Sequence, residues 1–484
     1  MIILSKFKNV EIEGRGNNMC TTVVVGKKAT KNGATLIARN CDAEIVIEPV
    51  KFIVVPENDV TEGVYHSYLT HFKENYPKKS LRYQMVPYIQ YKKEGIFGES
   101  GINSKNVAMS ATESIFSNTQ VLAIDPLTDG LGEDSLVSVV LPYISSAREG
   151  VTYLGKLIEE YGSHEGNGVI FSDKDEIWYM EIPCGHHWIA QRVPDDCCAV
   201  IANQSIIEEV DFNDPENFMY SEGLREFVDT YHLNPDYEGF NFRHIFGTSS
   251  KEDREYNTPR VWYGQNYLGH KVEDPRSSDM PFVFKPNRKL SYEDVGAVLS
   301  SHYDETIYDP FNSSDDASRK LFRPISMNRT SQSHILEIRN DVPEEIAAIT
   351  WINSGPTAFN PYVPFYANSH DTAPSYNHTT MTYDIDQAYW MHRTLAVLVE
   401  RDYDVLKTVN FDYLSAARQL ANHMILETDR AYKAMQSGDV TDFLTKQDKQ
   451  NIEEMNHLTM THIGELVKKG LGLSKLTFDI TKDV

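Results

Sequence analysis

The chain has 484 residues, 41% of them apolar and 11% aromatic, which is enough to bury a sizeable core and excludes a disordered chain. Its 70 acidic and 46 basic residues give a formal charge of −24, which argues against nucleic acid and membrane surfaces as partners. Five cysteines (Cys20, Cys41, Cys184, Cys197, Cys198) are too few and odd in number for a disulfide-stapled secreted fold, and no uncharged apolar run reaches the ~18 residues of a membrane span, so a cytoplasmic location is expected.

Residues 1–18 are basic and aperiodic, and Met1-Ile2-Ile3-Leu4 is shorter than the ~7–15-residue apolar block of a signal peptide. Glu13-Gly14-Arg15-Gly16 can be written in purine-rich codons that resemble a bacterial ribosome-binding site, with Asn17-Asn18 as spacer before Met19. Residues 1–19 are therefore expected to be a leader or propeptide absent from the active protein. Cys20-Thr21-Thr22-Val23-Val24-Val25-Gly26 then reads as a buried strand, Asn32-Gly33 as a hairpin turn, and Thr35 to Asn40 as the partner strand. This hairpin brings Cys20 close to Arg39–Asp42.

Strands are further expected at Val50–Val55, Val107–Ala111, Gly168–Phe171, Ile177–Glu181, Trp188–Arg192 and Cys198–Ala202. Helices are interleaved at Asp134–Ala147, Gly150–Tyr161 and Tyr292–Ser301; the second carries Val151, Leu154, Leu157 and Ile158 on one face. Hairpins mixed with helices favour α+β layers over a doubly wound sheet. After Pro374 the spacing becomes helical over 384–400, 412–436 and 440–470, with Asp384 and Asp412 as expected N-caps. The expected organisation is a leader (1–19), a catalytic domain (20–380) and a helical C-terminal region (381–484).

Cys20 carries chemistry if it is the first residue of the working protein. Its α-amine, with a pKa of ~7.7–8.0, then lies beside a thiol of pKa ~8.5 and serves as its general base. Removal of residues 1–19 follows either from cleavage after Met19 or from translation starting at Met19 with the methionine trimmed. Arg39-Asn40-Cys41-Asp42 adds an arginine that favours thiolate and fits a carboxylate, and an acid for a substrate amino group or the Cys20 amine. The bland alternatives are a core cysteine and an Arg–Asp pair at a strand end.

Met19-Cys20-Thr21-Thr22, followed by Gly33-Ala34-Thr35-Leu36-Ile37-Ala38-Arg39-Asn40-Cys41-Asp42, resembles the C69 dipeptidases of the N-terminal nucleophile hydrolases, relatives of the penicillin and bile-salt amidases. The likeness continues at Gly101–Glu113, Trp178–Glu181, Gly185–Trp188, Val200–Gln204, Arg323–Ser326, Asn328–Thr330 and Tyr362–Tyr366. The resemblance implies a four-layer αββα sandwich and hydrolysis of dipeptides through a thioester on Cys20. It implies Arg39 and Asp42 beside the thiol, Asn203 as an oxyanion donor, and Asn103 as a second asparagine near the nucleophile, binding substrate. Two departures stand out. Cys41 occupies a position where a more polar residue is expected, and a late active-site arginine has no clear counterpart, with Arg323 and Arg329 as candidates.

His164, His186, His187 and His302 lack metal-ligand spacing, and no phosphate loop or dinucleotide fingerprint occurs, so neither metal nor cofactor is expected. The expected partners are dipeptide substrates; the acidic surface and helical arms are compatible with a homo-oligomer. The rival readings are an amidase for non-peptide linear amides, a non-catalytic binding protein that keeps the fold, and a metallopeptidase.

Overall fold

β-Branched runs such as Thr21–Val25 place apolar side chains on both faces, so a sheet built from them must be covered on both sides. A computed structural model describes residues 20–58, 63–75, 77, 79–89, 97–311 and 314–476; the expected leader over 1–19 lies outside the described residues. The strands are β1 (Thr21–Val25), β2 (Thr35–Asp42), β3 (Ile53–Val55), β4 (Val64–His66), β5 (Lys73–Asn75), β6 (Tyr83–Met85), β7 (Ser100–Ile102) and β8 (Ala108–Ser114). They continue with β9 (Asn167–Ser172), β10 (Ile177–Ile182), β11 (Ile189–Val193), β12 (Cys198–Ile201), β13 (Phe218–Tyr220), β14 (Thr330–Ile338), β15 (Ala348–Ser354) and β16 (Val363–Tyr366). The helices are α1 (Thr119–Ile124), α2 (Glu133–Val140), α3 (Ala147–Tyr161), α4 (Leu224–Thr230), α5 (Phe242–Phe246) and α6 (Thr258–Tyr267). After them come α7 (Tyr292–Leu299), α8 (Pro374–Asn377), α9 (Ala388–Arg401), α10 (Tyr403–Ala434) and α11 (Val440–Gly472).

One antiparallel sheet has the order β12-β1-β2-β14-β15-β16 and the other β13-β11-β10-β9-β8-β7. They pack face to face, β2 lying over β8 and β9. Strand alternation then sorts the core into three slabs. Val24, Ile37, Ile201 and Leu336 meet Ile170, Ile177 and Tyr179 between the sheets. Val23, Val25, Leu36, Ala38 and Ile335 point the other way, toward α7 and the C-terminal helices. On the far side of the second sheet, Met109, Phe171, Trp178 and Met180 meet α2 and α3. The result is the expected four-layer αββα sandwich. Helix α3 buries Val151, Leu154, Leu157 and Ile158, and it approaches the sheet closely because a Cβ at Gly155 would stand 2.3 Å from the Trp188 ring.

Asn32-Gly33, with Gly33 at φ +73°, lies in the connection of the expected β1–β2 hairpin, residues 26–34. Several local expectations are corrected. The expected helix 134–147 stops at Val140, where Pro142 enters a short 3₁₀ turn. The strand expected over Val50–Val55 is confined to Ile53–Val55. Asp412 is no cap: α10 runs through it, because Leu406, Tyr413, Ala417, Ala421 and Met424 form an unbroken buried stripe. Asp402 and Gln387 occupy the N-cap positions of α10 and α9. The central strands β14 and β15 had not been anticipated at all.

Residues 388–472 pack their apolar faces into the same slab as the outer face of the first sheet. Buried polar contacts fix them: Arg339 holds Asp429 in a two-pronged ion pair at 2.7 and 3.0 Å, and Asp448 accepts from the Tyr366 backbone N–H at 3.1 Å and from Ser369 Oγ at 2.6 Å.

Candidate active site

β1 lies between β12 and β2, with Thr22 opposite both Ile201 and Arg39, and Thr21 opposite Asn40. One step further along the same register, Cys20 falls between Asn203 and Cys41. Three residues far apart in sequence thus form one row at the end of three adjacent strands. Cys20, Arg39 and Cys41 share the face that looks into the gap between the sheets, by strand alternation.

Arg39 is fully buried and spends its donors in five directions. Nη1 donates to Cys20 Sγ at 3.1 Å and Nε to Ser110 Oγ at 3.1 Å. Nη2 meets Glu99 Oε2 at 2.6 Å, the Glu99 carbonyl at 2.9 Å and the Ala111 carbonyl at 2.8 Å. Guanidinium remains charged at any working pH, so this contact holds a cation against the Cys20 sulfur in a water-poor site. The Cys20 thiol is lowered to about 7, chiefly by a hydrogen bond from Cys41; burial opposes this, Arg39 assists it, and Glu99 and Asp42 act against it. Cys41 is pushed the other way, first by burial and then by its hydrogen bond to Cys20. The proton of the pair therefore rests on Cys41.

Asp42 ends β2 and is closed off by Arg323 Nη2 on one oxygen and Thr330 Oγ1 on the other. Asn203 follows β12; its amide donates to the Ser114 carbonyl at 2.9 Å and its Oδ1 accepts from Arg260 Nη2 at 2.8 Å. Arg260 opens α6 and had not been anticipated. It also donates to the Cys20 carbonyl, to Thr21 Oγ1 at 2.9 Å and to Asn257 Oδ1 at 2.6 Å, so one guanidinium ties the Cys20 backbone to Asn203. Of the two candidates for a late arginine, Arg323 is in the site on Asp42, and Arg329 donates to the Tyr256 hydroxyl at 2.7 Å.

Asn103 departs from its expected role as a substrate ligand. Its amide donates to the Leu141 and Ile144 carbonyls, both at 2.8 Å, and its Oδ1 accepts from the N–H groups of Lys105 and Val107. Both hydrogens and both lone pairs are used on backbone, so the side chain pins the turn after β7. His186 and His187 bond separately, to Asp125 and Ser221. Among the described residues no group of three His, Cys, Asp or Glu could hold a metal ion, and no helix is long and apolar enough to cross a membrane.

Glu99, Ser110, Gln332, His334 and Arg260 all touch this centre and escaped the sequence reading. For Gln332 and His334 a signal existed. Thr330-Ser331-Gln332-Ser333-His334 is a polar run leading straight into Ile335-Leu336-Glu337-Ile338, and its residues are all buried.

With this geometry in place, the comparison with known proteins is decisive: the model of peptidase family C69 matches residues 19–416. The chain belongs to peptidase family C69. It is a peptidase. The chain is 46% identical to "Probable dipeptidase" of Latilactobacillus sakei over 96% of this chain and 98% of that protein. "Probable dipeptidase B" of Lactococcus lactis subsp. lactis (strain IL1403) is 42% identical, covering 97% and 99%. "Dipeptidase A" of Lactobacillus helveticus is 40% identical, covering 95% and 98%. A solved structure of a mutant conjugated bile acid hydrolase from Clostridium perfringens matches at 13% identity and a TM-score of 0.27 over 69% of this chain and 89% of that one.

Proposed function

We propose that this C69 peptidase is a dipeptidase whose nucleophile is Cys20, acting as the N-terminal residue of the working protein. The observation that carries the reading is the 3.1 Å contact of Arg39 Nη1 with Cys20 Sγ, in the same row as the Asn203 amide. The dipeptidase names of relatives that match nearly end to end support the substrate class.

In this mechanism the Cys20 thiolate attacks the peptide carbonyl carbon. The second amide hydrogen of Asn203, which has no acceptor among the described residues, donates to the developing oxyanion. The Cys20 α-ammonium gives its proton to the leaving amine, and the thioester remains. Water then attacks, the α-amine takes its proton, and the thiolate departs. Asp42, screened by Arg323 and Thr330, orients the α-ammonium of Cys20 or of the substrate. Asn103 acts through the turn it pins rather than by touching substrate.

The test is twofold. Intact mass of protein expressed from its own gene should correspond to a chain beginning at Cys20, and Cys20→Ala should abolish dipeptide hydrolysis with the melting temperature retained. Protein that keeps residues 1–19 and still cleaves dipeptides would eliminate the α-amine as base.

A further inference from the structure

Cys41 is the residue the mechanism leaves unused, and its surroundings form a closed ring of buried hydrogen bonds. Beyond Cys20 and Cys41, the ring consists of Arg39, Ser110, His334 and Gln332, none more than 4% exposed. Its polarity is dictated from one point. Arg39 is only a donor, so Ser110 Oγ accepts from Nε and spends its single hydrogen on His334 Nε2, 2.8 Å away. Burial and the Arg39 charge hold His334 well below the usual histidine range, so the ring is neutral and carries its hydrogen on Nδ1. That hydrogen goes to Gln332 Oε1 at 3.2 Å, which turns the Gln332 amide toward Cys41 Sγ at 2.6 Å. Cys41 sulfur thus accepts, and its own S–H is left for Cys20.

The backbone is shaped for this. β14 pairs with β2 so that His334 faces Arg39 and Gln332 faces Cys41, and between Thr330 and Gln332 the register slips by one residue. The extra residue, Ser331, bonds the Cys41 carbonyl through Oγ at 3.1 Å. The bulge lets Thr330 face Asp42 while Gln332 faces Cys41; were the Thr330–Asp42 register continued along the strand, Ser331 would face Cys41 and Gln332 would point to the other side of the sheet.

We propose that Cys41, oriented by Gln332, is a positioning residue of the C69 reaction: its S–H donates to the Cys20 sulfur and holds it as thiolate. The proposal rests on the reading of Cys20 as nucleophile. The other charged groups facing Cys20 are Arg39 and Asp42 from β2, Glu99 ahead of β7, Glu133 from the start of α2, Arg260 at the Cys20 carbonyl and, with Cys20 as the first residue, its own α-ammonium. Arg39, Arg260 and the α-ammonium favour thiolate as well, and all three stay in place when Cys41 is replaced, so a shift on that replacement reads the share of Cys41.

The experiment follows carbamidomethylation of Cys20 by iodoacetamide against pH, read by mass of the Cys20 peptide, in the wild type and in C41A, C41S and Q332L. In C41A the Cys20 inflection should move up by at least one pH unit, cutting the rate at pH 6 by ~10-fold or more, as expected for a lost hydrogen bond to a charged group. C41S should restore most of it, since a hydroxyl donates at least as well as a thiol. Q332L should show an intermediate shift, and it carries the test alone should C41A fail to fold. An unchanged inflection in C41A, or in Q332L when it stands alone, overturns the proposal. Dipeptide hydrolysis surviving in C20A would instead overturn the assignment of the nucleophile, leaving the thiol titration to be judged separately.

Discussion

Asn203 offers the sharpest test of the chemistry, because its two roles respond differently to two substitutions. Its side chain bonds the Ser114 carbonyl and Arg260, and in the proposed mechanism its second N–H meets the oxyanion. Asn203→Ala removes that donor, which costs ~2.7–4 kcal/mol of transition-state stabilisation and lowers kcat by ~100–1000-fold. It also orphans the Ser114 carbonyl and one Arg260 hydrogen, at ~1–3 kcal/mol each in stability. Asn203→Asp keeps one of these contacts: a carboxylate of the same shape retains its bond to Arg260, but like alanine it leaves the Ser114 carbonyl without its donor, and it presents negative charge to a forming oxyanion. We expect N203D to lose kcat at least as severely as N203A although it keeps the Arg260 contact that N203A gives up. Steady-state kinetics on a dipeptide with thermal melts of all three proteins provide the measurement. An N203D enzyme within threefold of wild-type kcat would refute the oxyanion role and leave Asn203 as a brace for Arg260.

Arg39→Lys keeps the charge but not the fork; one ammonium cannot serve Cys20, Ser110, Glu99 and Ala111 together. kcat/KM should fall at least ~100-fold by loss of the oriented thiolate, ~2.7 kcal/mol at 1.36 kcal/mol per decade, and wild-type kinetics in R39K would contradict the site. The kcat/KM profile should rise with pH through about 7, where Cys20 loses its proton, so a profile flat between pH 6 and 8 would exclude the thiolate as the limiting species. Burial raises Asp448 to about 8, far above an unfolded aspartate near ~3.9. Its protonated form is therefore the one the fold prefers: the contribution is complete below ~4 and is lost as pH rises through about 8, at up to ~1.4 kcal/mol per unit. In denaturant melts Asp448→Asn should gain on the wild type between pH 5 and pH 8.5; a stability difference unchanged between the two pH values would contradict a neutral Asp448.

What could be read from the sequence, and what could not, follows from how each residue meets its neighbours. The hairpin carrying Cys20 and Arg39 was legible because its strands are adjacent in sequence and strongly β-branched, and α3 because its four buried residues repeat at helical spacing. The alternation that sorts the core into three slabs was legible in kind, since buried strands read as apolar runs. β14 was not, because its first half is polar; the side chains there bond one another in the interior, and polarity without alternation reads as loop. Arg260 was invisible for another reason. An arginine near the start of a helix ordinarily reaches solvent, and only the packing of α6 beside β12 turns this one inward to the Cys20 carbonyl.

These two classes of miss have a common origin in the site itself. The row Gln332–Cys41–Cys20–Asn203 crosses β14, β2, β1 and β12, so its members are joined by register and by one bulge, while 291 positions of chain separate Gln332 from the Cys41 it faces. A motif can mark the strand that Cys20 opens, because that strand and its hairpin partner are local. It cannot mark which polar residue a non-local strand sets opposite Cys41, since a slip of one position exchanges Gln332 for Ser331. The charge on Cys20 depends on that slip. For this reason the cysteine that looked like a departure from the family pattern is best understood through β14: at position 41 a thiol is held between the Gln332 amide and the Cys20 sulfur, where its own hydrogen has one acceptor to choose.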